Sequence, residues 1–287
     1  MKRVLLTLVW ILTITVICSA QKTFYFPQIA NGIQTDGVSW KTTLFITNTA
    51  AANASNGDVT ITFTTSQGAP FGIAFTGTGF TSSGNTVSMT IAGGQSRKLV
   101  STGAGALTIG YATVSATSAD VTGTAVFSEF TPSGALISEA GVPAADALAR
   151  QAVFVDTQSG FATGVAYANP NAGPATITLA LMNAQGQLVV PTTGRSLAGT
   201  THTAAFVSEL FPGPQGQGVA GTMQITSSVP LAAIALRFSP GGLFTTLPPV
   251  SIASLLDPAV EWLERRPWIS PFSSLAKLLG ALKFTIG

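Results

Sequence analysis

The sequence predicts an all-β chain: two tandem β-sandwich repeats followed by a short C-terminal helical tail. Three observations predict it. Apolar and hydroxyl residues alternate with period two, as in Val59-Thr60-Ile61-Thr62-Phe63 and Ile177-Thr178-Leu179-Ala180-Leu181. Such alternation marks strands with one buried face. Turn residues interrupt these runs at short intervals. The same string of segments also occurs twice, and an internal period governs how the whole fold is read.

The repeat is carried by paired segments. Thr43-Leu-Phe-Ile-Thr-Asn48, then Val59 to Phe63, matches Gly164-Val-Ala-Tyr-Ala-Asn169, then Thr176-Ile-Thr-Leu-Ala-Leu181. Further on, Gly110-Tyr-Ala-Thr-Val-Ser-Ala-Thr-Ser118 matches Gly221-Thr-Met-Gln-Ile-Thr-Ser-Ser228. Val126-Phe127-Ser128 with Thr131-Pro-Ser-Gly-Ala-Leu136 matches Arg237-Phe238-Ser239 with Pro240-Gly-Gly-Leu243. Each copy spans about 110 residues, the size of one immunoglobulin-like sandwich.

Residues 1–20 read as a secretory signal peptide. Lys2 and Arg3 precede an uncharged apolar run from Val4 to Ile17, and Cys18, Ser19 and Ala20 place small residues before an expected cleavage after Ala20. The run is short for a membrane span. Ile17 argues against a lipoprotein reading of Cys18. The chain is therefore expected to be secreted, either extracellular or at the cell surface. Cys18 is the one cysteine, so the mature chain is expected to hold no disulfide and no thiolate site.

Charged residues make up 8% of the chain, against a usual quarter or so. The 13 basic residues less Lys2 and Arg3 balance the 11 acidic ones. No basic patch points to nucleic acid. Thr, Ser, Asn, Gln and Gly must cover the surface instead.

The first repeat is assigned to residues 21–144. Turns are expected at Asn56-Gly57-Asp58, Gln67-Gly68-Ala69-Pro70, Gly93-Gly94 and Pro132-Ser133-Gly134, where Asn, Gly and Pro supply the needed φ values. Pro143 to Arg150 reads as a linker or a single helical turn. The second repeat is assigned to 151–250. Turns are expected in it at Asn183-Ala-Gln-Gly186 and Pro240-Gly-Gly242, and a short helix over 205–211 stops at Pro212. Ile234, Leu236 and Phe238 alternate with Ala235 and Arg237, which predicts one buried and one wet face.

The tail, 251–287, changes character. Asp257-Pro258 is a helix-start signal, and Leu275, Leu278, Leu279 and Leu282 fall on one face of an amphipathic helix. Flanking Lys277 and Lys283 would suit a membrane surface. Packing on the sandwich, or against another chain, fits the stripe equally well.

No nucleophile–base or metal-ligand cluster stands out, and no cofactor or metal is expected. His202 is the only histidine, with no Gly-x-Ser-x-Gly elbow to build a triad around it. Asp36, Asp58, Asp120 and Asp156 sit in turn-like settings. Asn53-Ala-Ser-Asn-Gly-Asp58 lacks the spaced carboxylates of a calcium loop. Glu129, Glu139 and Glu209 are the candidates for a glycosidase pair, with a separation the sequence does not specify. Trp40, in the loop-like stretch Asp36-Gly-Val-Ser-Trp-Lys41, is the best single ligand-binding candidate, with Asp36 beside it. An aromatic there would stack on a sugar ring or staple the loop to the core.

The segments Gly160-Phe-Ala-Thr-Gly-Val-Ala-Tyr-Ala-Asn-Pro170, Glu209-Leu-Phe-Pro212, Ala235-Leu-Arg-Phe238 and Gly242-Leu-Phe-Thr-Thr-Leu-Pro-Pro249 resemble uncharacterised modules of large secreted bacterial proteins. Phe26-Pro-Gln-Ile-Ala-Asn-Gly32 resembles the opening of the same module. The resemblance covers about 21–250, leaves the tail unmatched, and implies export and a β-sandwich but no reaction.

The leading expectation is a secreted or cell-surface, non-enzymatic β-sandwich with a structural, adhesive or ligand-binding role. Its expected partners are an extracellular polysaccharide or a cell-surface protein. The alternatives are a carbohydrate-active hydrolase and, last, an outer-membrane β-barrel, for which interfacial Tyr and Trp are scarce.

Overall fold

The structure, a computed structural model, describes residues 21–252 except 55, 214 and 215. The expected signal peptide and nearly all of the tail lie outside these residues. Residues 21–250 belong to one compact unit, and it is all-β apart from short helical turns.

The N-terminal half contributes β1 (Lys22–Ile33), β2 (Ser39–Asn48), β3 (Gly57–Thr65), β4 (Phe75–Thr76), β5 (Thr81–Ser83), β6 (Thr86–Ile91), β7 (Ser96–Ser101), β8 (Thr108–Ala116), β9 (Val121–Phe130) and β10 (Leu136–Pro143). One layer runs β5-β6-β3-β8-β1. The other runs β10-β9-β2-β7-β4. Strand β1 joins the layers, pairing with β8 through Asn31 and then with β2 through Gly32 and Ile33. The layers pack face to face over Phe24, Phe26, Ile61 and Phe63 on one side and Leu44, Ile46, Leu99 and Phe127 on the other.

The C-terminal half contributes β11 (Leu148–Asp156), β12 (Ala162–Ala168), β13 (Ala175–Asn183), β14 (Thr193–Leu197), β15 (His202–Phe206), α1 (Val207–Leu210), β16 (Ala220–Phe238), β17 (Phe244–Leu247) and β18 (Val250–Ser251). One layer runs β14-β13-β16-β11. The other runs β15-β12-β16-β17. The 19-residue β16 serves both. Its Gly221 to Ser227 stretch pairs with β13, and its Ala232 to Phe238 stretch pairs with β12. Pro230, lacking an N–H, falls between the two stretches, where no ladder bond is needed. None of these strand orders closes on itself.

Alternation decides the faces. Ile177, Leu179 and Leu181 on β13 are fully buried, each contributing about 1.5–3 kcal/mol relative to exposure. On the solvent side of the first layer, register aligns Thr81, Ser88, Thr60, Ser115 and Thr23 in one rank. A second rank holds Ser83, Thr86, Thr62, Thr113 and Tyr25. Neighbouring strands lie about 4.8 Å apart, so this face is hydrated by hydroxyls where most proteins use charge.

Two expectations are corrected. Pro143 to Arg150 is neither a free linker nor a helical turn. Ala145 exchanges both backbone hydrogen bonds with Tyr25, at 2.9 Å each, and β11 already begins at Leu148. The second correction concerns β16, which has no wet face from Leu231 to Ala235: all five residues are fully buried. Ile234 and Leu236, with Ala166 of β12, belong to the core of the N-terminal half. Ala233 and Ala235, with Val165 and Tyr167, belong to the core of the C-terminal half. This layer lies between two apolar cores. A continuous apolar run such as Leu231-Ala-Ala-Ile-Ala-Leu236 suits a strand buried on both sides. The expected short helix is present as α1, and Pro212 follows it.

Candidate functional site

The chain enters β2 through a tight turn. Asp36 Oδ1 accepts from Val38 N–H at 3.0 Å, and Gly37 takes φ +87°, a left-handed value that glycine adopts freely. Asp36 itself is exposed. The turn sets the alternation of β2, so Trp40 shares the inward face with Thr42, Leu44 and Ile46. Trp40 is therefore in a strand, not the loop predicted. Its ring stacks on Phe244 of β17 at 5.7 Å and tilts against Phe127 at 6.3 Å. Phe244 in turn meets Phe238 at 5.6 Å, and Phe238 meets Phe206 edge-on at 5.4 Å. Each such pair contributes about 0.5–1.5 kcal/mol beyond area burial. The chain of rings crosses from one half to the other.

Beside these rings lies a cavity of about 380 Å³. Trp40, Phe127, Phe206 and Phe238 form its aromatic walls. It is hollow because the facing strands present little bulk. Gly164 and Ala166 of β12 and Ala204 of β15 occupy consecutive same-face positions, and all three line the space. The polar side chains on the lining are Gln28, Gln34 and Glu209. Glu209 Oε2 accepts from Phe206 N–H at 2.7 Å, which satisfies one free donor at the start of α1. Trp40 Nε1–H is buried and has no hydrogen-bond partner among the described residues.

His202 pins the halves together next to this cavity. It is buried, with Nε2 2.9 Å from Gln28 Oε1 and Nδ1 3.0 Å from Ser66 Oγ. Both ring nitrogens therefore have a hydrogen-bond partner from the N-terminal half. Burial lowers the imidazole to about 4, against a smaller opposing effect of the Pro27 backbone. The ring is neutral at pH 7 and serves as a structural tie at the start of β15.

The other candidates are dispersed. Glu129 lies opposite Trp40 on β9, and burial, then the nearby Asp36, pushes its carboxyl above the usual range. Glu139 lies opposite Ser128, and Ser128 Oγ donates to its Oε2 at 3.0 Å. Positions 128 and 129 face opposite sides of the sheet, so Glu129 and Glu139 are turned away from each other. Asp156 forms an ion pair with Arg237 at 2.7 Å, and that guanidinium lies 3.5 Å from the Phe161 ring centre. Asp58 accepts from Thr90 Oγ1 at 2.7 Å. No group of three or more His, Cys, Asp or Glu side chains gathers among the described residues.

Sequence reasoning singled out Trp40 but missed the cavity. The available signal was the run of small residues at alternate positions, Ala162, Gly164, Ala166 and Ala168, which leaves one strand face without bulk. Asn48 and Asn169 were noticed only as motif ends. Both are fully buried. Their Oδ1 atoms accept from the N–H two residues on, in Ala50 and Asn171, at 3.1 Å each. Asn48 Nδ2 donates to Ile91 O at the end of β6, and Asn169 Nδ2 donates to Leu197 O at the end of β14.

Comparison with protein-family models, curated proteins and solved structures finds no match to this chain.

Proposed function

We propose that the chain is a secreted or cell-surface, non-enzymatic β-sandwich protein that binds a ligand where two copies of one immunoglobulin-like module meet. The observation that carries the binding role is the aromatic-walled cavity between the halves. Its size falls in the range of about 300–1,000 Å³ typical of ligand pockets.

Several features support the duplicated reading. Layer order β6-β3-β8-β1 has its counterpart in β14-β13-β16-β11, and β10-β9-β2-β7 in β17-β16-β12-β15. Asn48 and Asn169 hold corresponding turns. Gly110 and Gly221 each lie where a Cβ would meet a facing carbonyl, that of Thr64 or of Met182. Export is supported by the basic, apolar and small-residue segments of 1–20. The resemblance to modules of secreted bacterial proteins points the same way.

Two measurements test the proposal. The full chain should enhance the fluorescence of 1-aminoanthracene, a neutral apolar probe, and Ala204→Trp, on the lining, should abolish the enhancement by filling the cavity. An unresponsive probe refutes the binding site. Fractionation of producing cells should place the chain outside the cytoplasm; retention inside refutes export. A version ending at Val250 shows whether the tail holds the protein at a surface.

A further inference from the structure

Strand β15 is the outermost strand of its layer, paired with β12 on one side. Antiparallel pairing turns the N–H and C=O of alternate residues toward the partner strand and those of the residues between outward. Asn169 N–H donates to Thr201 O one step beyond the β12–β15 ladder. By that register Thr203 and Ala205 bond to β12, while His202, Ala204 and Phe206 direct their backbone groups off the edge. Two contacts agree with it. His202 N–H donates to Ser66 O at 3.1 Å, and Phe206 N–H donates to Glu209 Oε2 at 2.7 Å.

Ala204 lies between these two positions and is open. Its outward N–H and C=O have no partner among the described residues, and the residue is exposed. It is also on the cavity lining, with Phe206 of its own strand and with Leu107 and Ile109 at the start of β8. Phe206 and Ile109 are exposed as well, so a ligand can reach this part of the lining from solvent. Unpaired edge groups are a template for a strand of another chain, and folded proteins cover them. Here Ser66 and Glu209 close the neighbouring positions, and Ala204 is left bare beside the cavity.

We infer that this cavity, on the binding role proposed above, takes one residue of an extended peptide, held by two hydrogen bonds to the Ala204 backbone. An extended residue carries its N–H and C=O on one side, and a directly opposed antiparallel residue exchanges both bonds with it. The side chain of that residue then lies on the same face as the Ala204 methyl. Ala204 opposes Ala166, and Ala166 is on the face turned toward the N-terminal core, so the peptide side chain enters the cavity. The space is about 380 Å³, while an engineered cavity of about 150 Å³ takes one benzene, so it admits a phenyl or an indole. The lining carries Glu209 and no Lys, Arg or His, so an acidic side chain would lose its hydration without a counter-ion. The bound residue is therefore aromatic or large aliphatic. Its main chain supplies affinity, and the cavity selects its side chain.

Isothermal titration of the full chain with N-acetyl-tryptophan N-methylamide and its Nα-methyl analogue tests it. The analogue keeps the indole but lacks the N–H that would donate to Ala204 O. The parent should bind about fivefold to tenfold tighter, the worth of one hydrogen bond. Ala204→Pro removes the other bond. Its N–H faces outward, where an edge strand tolerates proline, so this variant should weaken the parent by about the same factor while the response to 1-aminoanthracene persists. Equal affinities of the two compounds on the unaltered chain overturn the inference, and so does an Ala204→Pro chain that keeps full affinity for the parent. If 1-aminoanthracene responds and neither compound binds, the inference fails and the cavity remains a binding site. If none of the three binds, both the inference and the binding role fail. Should Ala204→Pro not fold, the two compounds on the unaltered chain still decide the matter.

Discussion

Trp40, from the N-terminal half, stacks on Phe244, from the C-terminal half, with ring centres 5.7 Å apart and planes 23° apart. Phe244 also stacks on Phe127 at 5.6 Å, and its backbone N–H donates to Ser138 Oγ at 3.1 Å. One residue of β17 thus completes the core of the other half.

Phe244→Ala should therefore destabilise both halves together. Removing a buried phenylalanine costs about 3–5 kcal/mol. In residues 21–250, where Trp40 is the single tryptophan, denaturant unfolding followed by tryptophan fluorescence and by far-ultraviolet circular dichroism should shift by the same amount. Transitions that separate would show that the halves unfold independently.

The halves should not be stable alone. A chain of residues 147–250 would expose Ala166, Ile234, Leu236 and Phe244, all buried against the first core. Expressed separately, it should bind hydrophobic dyes, aggregate, or unfold without cooperativity, and mixing with residues 21–146 should restore a sharp transition. A monomeric, cooperatively folded 147–250 fragment would contradict this.

His202 should make stability fall in mild acid. Its folded-state value of about 4 lies below its ordinary 6.5, so the unfolded chain binds the proton more readily. The contribution of the neutral buried ring is complete above about pH 6.5 and is lost as pH falls toward 4, to a total of about 3 kcal/mol. His202→Gln should flatten the profile across that window while lowering stability at pH 7. An unchanged slope would show that other groups set the acid limb.

Gly110→Ala and Gly221→Ala should each destabilise. An added Cβ would run into the carbonyl oxygen of Thr64 in one case and Met182 in the other, and overpacking of this kind costs about 1–3 kcal/mol. Gly134→Ala meets nothing nearby, but its φ of +86° is unfavourable for alanine. It is therefore a control for backbone strain without collision. A melting-temperature series should rank Gly110→Ala and Gly221→Ala below it.

Much of the fold was legible. Val59, Ile61 and Phe63 alternate with threonines and are buried as a period of two requires. The turn at Pro132-Ser133-Gly134 is present between β9 and β10, because Pro and Gly preset the φ values there. Trp40 was singled out as a loop residue, but it lies in β2. Asp36 and Gly37 resemble loop sequence, yet the strand resumes two residues later. The small residues of β12 hinted at a hollow, but not at its place, because its walls come from β1, β2, β8, β9, β12, β15, α1 and β16 and no local pattern specifies which strands become neighbours.

Local chemistry in the sequence determined which segments are strands, where they turn, which side of most strands is wet, and that hydroxyls rather than charges hydrate the surface. These follow from φ preferences and side-chain period, which each segment carries by itself. Only the tertiary structure decided that the strand from Leu231 to Ala235 is buried on both faces, that His202 ties Ser66 to Gln28, and that small residues of one half leave a cavity against the rings of the other. Those outcomes depend on contacts between residues far apart in the chain, and burial, the force that creates them, is indifferent to sequence order.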